Sequence, residues 1–142
     1  MSLYLRYWQK WAAMKTHNIL IVILILSSCI TSKTIVKTGI EEISFGNGGG
    51  FTGEVKTYTL TADCKLFMQG EKPKKIKSKK VLELFILAKE LKNLDYNESA
   101  NMYSFIDIKT KEKTNRIVWA YGLTVIDKKV INLYNELLKT TK

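Results

Sequence analysis

The chain has 142 residues, with 23 Lys and Arg against 13 Asp and Glu for a formal charge of +10, and it contains one His and two Cys. That length suits one domain with a single core. With one histidine and two cysteines, the chemistry that most often relies on those side chains has little to draw on.

The first feature in chain order is Ile19-Leu20-Ile21-Val22-Ile23-Leu24-Ile25-Leu26, eight uninterrupted aliphatic residues. A membrane-spanning helix needs about 20 apolar residues, so this run has the length of a signal-peptide core instead. Lys15 and His17 precede it and Leu26-Ser27-Ser28-Cys29 follows. This tetrad resembles the lipobox of bacterial lipoproteins: an aliphatic residue, two small residues that let the signal peptidase approach, and the obligatory cysteine. The resemblance implies diacylglycerol on the Cys29 sulfur, cleavage before Cys29, and acylation of the new amine. Each buried methylene contributes about 0.8 kcal/mol, and two or more chains give stable anchoring.

Residues 1–28 are therefore expected to be a signal peptide. Met14-Lys15-Thr16-His17-Asn18 and the apolar run form a complete signal by themselves, which points to Met14 as the true start. Residues 1–13 interleave Tyr4, Tyr7, Trp8 and Trp11 with Arg6 and Lys10, a pattern that also fits a membrane-interface helix. Processing would remove Arg6, Lys10 and Lys15 from the 23 basic side chains and none of the 13 acids, leaving a formal +7. A surplus of that size favours anionic partners. Export makes an acidic protein or an anionic envelope lipid the expected partner, and not nucleic acid. His17 leaves with the signal, so the mature chain has no histidine for a Ser-His or Cys-His pair. Cys64 remains as the one thiol besides the lipidated residue. A non-enzymatic domain without cofactor or metal is expected.

After Cys29, residues 29–39 are polar and rich in Thr and Lys, as suits a tether. The single domain is expected over 40–142. Ile40 to Phe45 reads as a strand, Gly46 to Gly53 as a glycine-rich loop, and Glu54 to Thr61 as a strand of alternating character. Ala62-Asp63-Cys64 reads as a tight hairpin turn and Lys65 to Gln69 as the returning strand. The loop Gly70 to Ser78 carries the only proline, Pro73. A helix follows, with Ser78 as cap and Val81, Leu84, Phe85, Ala88 and Leu91 on one face; Asn93 ends it. Met102 to Ile108 and Asn115 to Tyr121 read as strands around the charged turn Lys109 to Thr114. Asp127 caps a last helix whose apolar stripe is Val130, Tyr134, Leu137 and Leu138. The expected fold is α+β, a small antiparallel sheet in the order βββαββα with both helices on one face.

Two segments stand out as candidate binding sites. Gly48, Gly49, Gly50, Phe51, Thr52 and Gly53 match the pattern G-x-G-x-x-G. A dinucleotide fingerprint must lead from a strand into a helix, whereas a strand follows here. The kinase version of the pattern requires downstream motifs that are absent, so no nucleotide is expected. The glycines serve a bulged, twisted connection or present backbone amides and the Phe51 side chain to a partner. The second segment gathers Lys72, Lys74, Lys75, Lys77, Lys79 and Lys80 before and within a helix N-terminus. Cations there oppose the helix dipole by about 0.3–1 kcal/mol each, and an anion docked on Lys74, Lys75 and Lys77 would offset that mismatch. Trp119 reads as packing rather than a ligand platform.

Ile43-Ser44-Phe45, Gly50-Phe51-Thr52-Gly53, Tyr58-Thr59-Leu60, Ile117-Val118-Trp119 and the terminal Leu133-Tyr134 helix together resemble a group of Bacteroidota lipoproteins of unknown activity. The resemblance spans nearly the whole chain after Cys29. Those proteins carry Gly where this chain has Cys64, which suits an Asp-Gly turn. Gly49-Gly50-Phe51-Thr52-Gly53 is also similar to emfourin-type inhibitors of metallopeptidases, over five residues only, and implies an alternative function as an inhibitor of an envelope peptidase. A carboxylate-dependent hydrolase is the third reading. Ile30-Thr31-Ser32-Lys33 lacks the acidic residues of the surface-export signal of Bacteroidota lipoproteins, which favours an outer-membrane anchor facing the periplasm.

Overall fold

The computed structural model describes residues 35, 37–98, 100–122 and 127–142. The signal segment, Cys29 and residues 30–34 lie outside the described residues. Among the described residues, seven strands and two helices follow in chain order: β1 (Ile40–Gly49), β2 (Val55–Thr61), β3 (Lys65–Met68), β4 (Lys74–Lys75), α1 (Ser78–Leu91), β5 (Tyr96–Asn97), β6 (Met102–Thr110), β7 (Thr114–Ala120) and α2 (Lys128–Leu138), with a 3₁₀ turn at Lys139–Thr141. The strands make one sheet in the order β4-β3-β2-β1-β6-β7-β5. The protein is α+β.

Two features depart from the expected βββαββα antiparallel design. The two-residue strands β4 and β5 extend the sheet at its edges, and β5 runs parallel to β7, with Tyr96 opposite Ile117, so the sheet is mixed. A two-residue strand has no alternation to read; the pairing that creates it is long-range.

Period-two alternation decides which face is covered. The registers place Ile43, Phe45, Leu60, Leu66, Ile106, Ile108, Ile117 and Trp119 on one face. These residues form one cluster with Val81, Leu84, Phe85, Ala88 and Leu91 of α1 and Val130, Leu133 and Leu137 of α2. The opposite face is held by polar pairs: Ser44 Oγ with Thr59 Oγ1 at 2.9 Å, Lys109 with Glu42 at 3.1 Å, and Arg116 with Asp107 at 3.5 Å. The Arg116 guanidinium lies 4.9 Å from the Phe105 ring centroid, and Phe105 is buried.

Ile35 is fully buried in the same cluster. Thr38 is buried as well, its hydroxyl donating to the Ile35 carbonyl at 2.7 Å and accepting from the Ile40 amide at 3.3 Å. Part of the segment expected to be a tether, residues 29–39, is thus folded onto the domain. Composition reads Thr and Lys as tether but does not register one isoleucine finding a core.

The glycine segment also differs from expectation. β1 continues through Gly46, Asn47, Gly48 and Gly49, paired on one side to β2 through Gly48 and on the other to β6 through Gly49. A Cβ at Gly46 would lie 1.8 Å from the Lys56 carbonyl oxygen, and one at Gly49, whose φ is +92°, 1.9 Å from that of Asn101. Glycine has low strand propensity, yet here the neighbouring strand occupies the space a side chain would need.

α1 and α2 begin differently. Asp127 accepts from the Lys129 amide at 2.8 Å and caps α2 as expected. Lys77, not Ser78, is the N-cap of α1, and no side chain caps that end; Ser78 has entered the helix. The turn between β2 and β3 holds Cys64 at φ +67°, buried, in the left-handed region that favours glycine.

Gly46→Ala is expected to destabilise the protein by about 3 kcal/mol or more, because the added methyl meets backbone that cannot move away. Gly53→Ala, with φ +64° but open space around it, should cost only about 1 kcal/mol. Urea denaturation of both variants checks the difference; equal losses would contradict the packing role of Gly46.

Candidate functional site

The structure places the two candidate segments in different parts of the molecule. Of the glycine segment, Gly48 and Gly49 are strand residues, and Gly50 turns the chain with φ +76° while its amide donates to Asn101 O at 2.7 Å. Phe51, Thr52 and Gly53 form the projecting tip, closed by a 3.3 Å hydrogen bond from the Gly53 amide to Gly50 O. The glycines therefore serve geometry, and Phe51 is left with a relative exposure of 108%. A phenylalanine that buries nothing on folding contributes nothing to the core.

Beside this tip is a cleft of about 270 Å³ lined by Asn47, Gly48, Thr52, Glu54, Lys56, Met102, Tyr103 and Tyr121, among others. The Tyr103 ring occupies the space above Gly48, where a Cβ would lie 2.8 Å from the hydroxyl oxygen. Met102 and Tyr121 are both more than half exposed; the Tyr121 amide donates to Met102 O at 2.8 Å, so the starts and ends of β6 and β7 bring them together. Sequence reading did not single out Met102, Tyr103 or Tyr121, since their proximity to the loop arises from the pairing of β1 with β6. Below the tip, the buried Trp119 meets Tyr134 edge-on at 5.0 Å, and the Tyr134 hydroxyl donates to Gly46 O at 3.0 Å. Trp119 is core packing, as expected, and α2 is fastened to the glycine strand.

The lysine segment lines a separate cleft, also about 270 Å³, formed by Lys74, Lys75, Ile76, Lys77, Lys80, Lys139 and Thr140. Lys74, Lys75 and Lys77 are brought together as the sequence indicated. Lys80 and Lys139 join them because α1 starts where α2 ends. Lys74 Nζ donates to Thr140 O at 3.1 Å. Glu136 accepts from both Lys80 and Lys139 at 2.5 Å. Lys75 and Lys77 have no ion pair among the described residues. The uncapped start of α1 and the unpaired lysines together make a surface suited to anionic groups.

The hydrogen bond from Lys139, then that from Lys80, holds the Glu136 carboxyl down from its ordinary 4.5 to about 2. On the open sheet face, burial raises the Asp107 carboxyl against the lowering influence of Arg116, and its Oδ1 has no hydrogen-bond partner among the described residues. Burial also raises the Cys64 thiol, which disfavours the reactive thiolate. Among the described residues, no three His, Cys, Asp or Glu side chains are grouped to hold a metal ion, and no helix is long and apolar enough to cross a membrane.

Comparison with family models, curated proteins and solved structures finds no match to this chain.

A depressed carboxyl stabilises the fold while ionised, so the contribution of Glu136 is complete above about 4.5 and is lost as pH falls through about 2. Glu136→Gln should flatten the urea-midpoint profile across that interval relative to the parent. Parallel profiles for the two proteins would contradict the assigned Lys80–Glu136–Lys139 bridge.

Proposed function

We propose that this protein is a lipid-anchored, non-enzymatic binding module of the bacterial cell envelope, held to the membrane through Cys29 and contacting its partner with the projecting loop. The observation that carries this reading is the full exposure of Phe51, next to a cleft flanked by the exposed Met102 and Tyr121. Contiguous exposed apolar groups rimmed by polar ones mark interaction surfaces. Binding energy in such surfaces concentrates in a few large anchors that fill a partner's pocket. Gly48, Gly49, Gly50 and Gly53 hold the loop in shape, and Phe51 and Thr52 are its contact residues.

The lipidated N-terminus is read from Leu26-Ser27-Ser28-Cys29 after the apolar run, and an outer-membrane, periplasm-facing position from the absence of acids after Cys29. Lys75 and Lys77, without an ion pair among the described residues, offer with Lys74 a second surface, for an acidic protein or anionic lipid. The alternative in which the partner is an envelope peptidase and the module its inhibitor keeps the same contact loop; a protruding loop with one apolar side chain is suited to enter a cleft.

Membrane-extracted full-length protein carrying an affinity tag, used to capture envelope proteins, tests this. Phe51→Ala should leave stability within about 0.5 kcal/mol, as expected of an exposed site, and reduce partner recovery by about 30-fold, the loss typical of a hot-spot anchor. Unchanged recovery would refute the loop as the contact. A captured peptidase whose activity falls on addition of the protein would select the inhibitor reading.

A further inference from the structure

The strand registers assign opposite characters to the two ends of the sheet. At one end lie the start of β1 at Ile40, the β2–β3 turn, the Lys65–Lys75 pair of β3 and β4, and the β6–β7 turn. Gly39, Ala62, Asp63 and Lys111 line one cleft there, and the Ile76 amide donates to Cys64 O at 2.9 Å, which brings Lys77 to the same end. At the other end are Phe51, Met102 and Tyr121.

The first end is basic. Asp63 is paired with Lys65 at 2.6 Å and Glu42 with Lys109 at 3.1 Å. Lys37, Lys75, Lys77, Lys111 and Lys113 then face three further carboxylates, Glu41, Glu112 and Asp95, the last brought to this end by the Asn115 hydrogen bond to Leu94 O, and none of these eight has an ion pair among the described residues. The far end has Glu54, Lys56 and Glu71 near one another and no comparable surplus among the described residues.

The chain also leaves from the basic end. Ile35 is already in the core, so only six residue steps separate it from Cys29, a reach of at most about 21 Å. β1 has 10 residues, which holds the Phe51 loop about 33 Å from its start. A short connection to an acyl anchor keeps the end that carries it near the bilayer, within range of headgroup charge.

We propose that this basic end is a second, electrostatic membrane contact, in which Lys37, Lys75, Lys77, Lys111 and Lys113 rest on anionic phospholipid headgroups and the Phe51 loop faces away from the membrane. The proposal rests on the anchoring of Cys29 put forward above. It commits the lysine surface to lipid and the apolar tip to protein. Neither the anchor nor the patch alone would fix the domain's orientation; together they define one.

The test uses the full-length acylated protein, reconstituted in vesicles of phosphatidylcholine with or without phosphatidylglycerol. Amine-acylating reagent is added, and each lysine's modification rate is read by mass spectrometry. Lys75, Lys77, Lys111 and Lys113 should react about threefold or more slowly on the anionic vesicles, with protection weakening as salt is raised, while Lys56 reacts equally on both. Equal rates at the four lysines on both vesicles, or equal protection of Lys56, overturn the proposal. Flotation separates the two levels of failure. Protein that does not float with vesicles of either kind overturns the anchor and the orientation together. Protein that floats without lysine protection overturns the orientation alone, and protection by added polyglutamate but not by phosphatidylglycerol assigns the basic end to an acidic protein instead.

Discussion

The close approach of β1 to its neighbours is the constraint on which the rest depends. β1 is hydrogen-bonded along both sides, to β2 and to β6, and at Gly46 and Gly49 the neighbouring carbonyl oxygens stand where a Cβ would be. Removing side chains from the end of a central strand lets Tyr103 lie over Gly48 and lets Tyr134 reach Gly46 O. Through Tyr134, α2 is registered on the same strand, and the contact of that ring with Trp119 ties it to β7 as well. The glycines thus bring the sheet, the second helix and the base of the Phe51 loop into direct contact.

Those contacts bear on the proposed role of the exposed phenylalanine. A large apolar side chain on a flexible loop would lose conformational entropy on binding; one on a loop set by strand pairing and two backbone hydrogen bonds has less freedom to lose. The lysine surface has a different origin. It is assembled where the uncapped start of α1 meets the end of α2, and Glu136 pairs with Lys80 and Lys139 while Lys75 and Lys77 have no ion pair among the described residues. Apolar tip and basic end are separated by the length of β1, so the two proposed contacts would not compete for the same surface.

What could be read in the sequence was whatever is encoded locally. The apolar face of α1, the Asp127 cap and the alternation in β2 each depend on residues a few positions apart, and each stands in the structure; on α2, Val130 and Leu137 are buried as expected, Tyr134 and Leu138 are half-buried, and the fully buried Leu133 was not in the expected stripe. The turn at Cys64 was also legible, since its left-handed φ is what a glycine-like position requires. β4 and β5 were not, because two residues have no period. The continuation of β1 through Gly46 to Gly49 was hidden because glycine alone suggests a loop, and only the partners' carbonyls show why strand persists. Met102, Tyr103 and Tyr121 joined the loop, and Lys139 and Glu136 joined the lysines, through pairings distant in sequence. Lys77 displaced Ser78 as the α1 cap although serine is the better capping residue, which shows tertiary placement prevailing over local preference.

Membrane anchoring through Cys29 is the central proposal, because it would set the compartment, remove the only histidine and make the domain's two ends inequivalent. Intact mass of the protein extracted from membranes tests it most directly. The account predicts a chain beginning at Cys29, heavier than its amino-acid mass by a diacylglyceryl group and an N-linked acyl chain, with Cys29→Ala unprocessed and unlipidated. An unmodified mass that retains residues before Cys29 in the parent protein would contradict it.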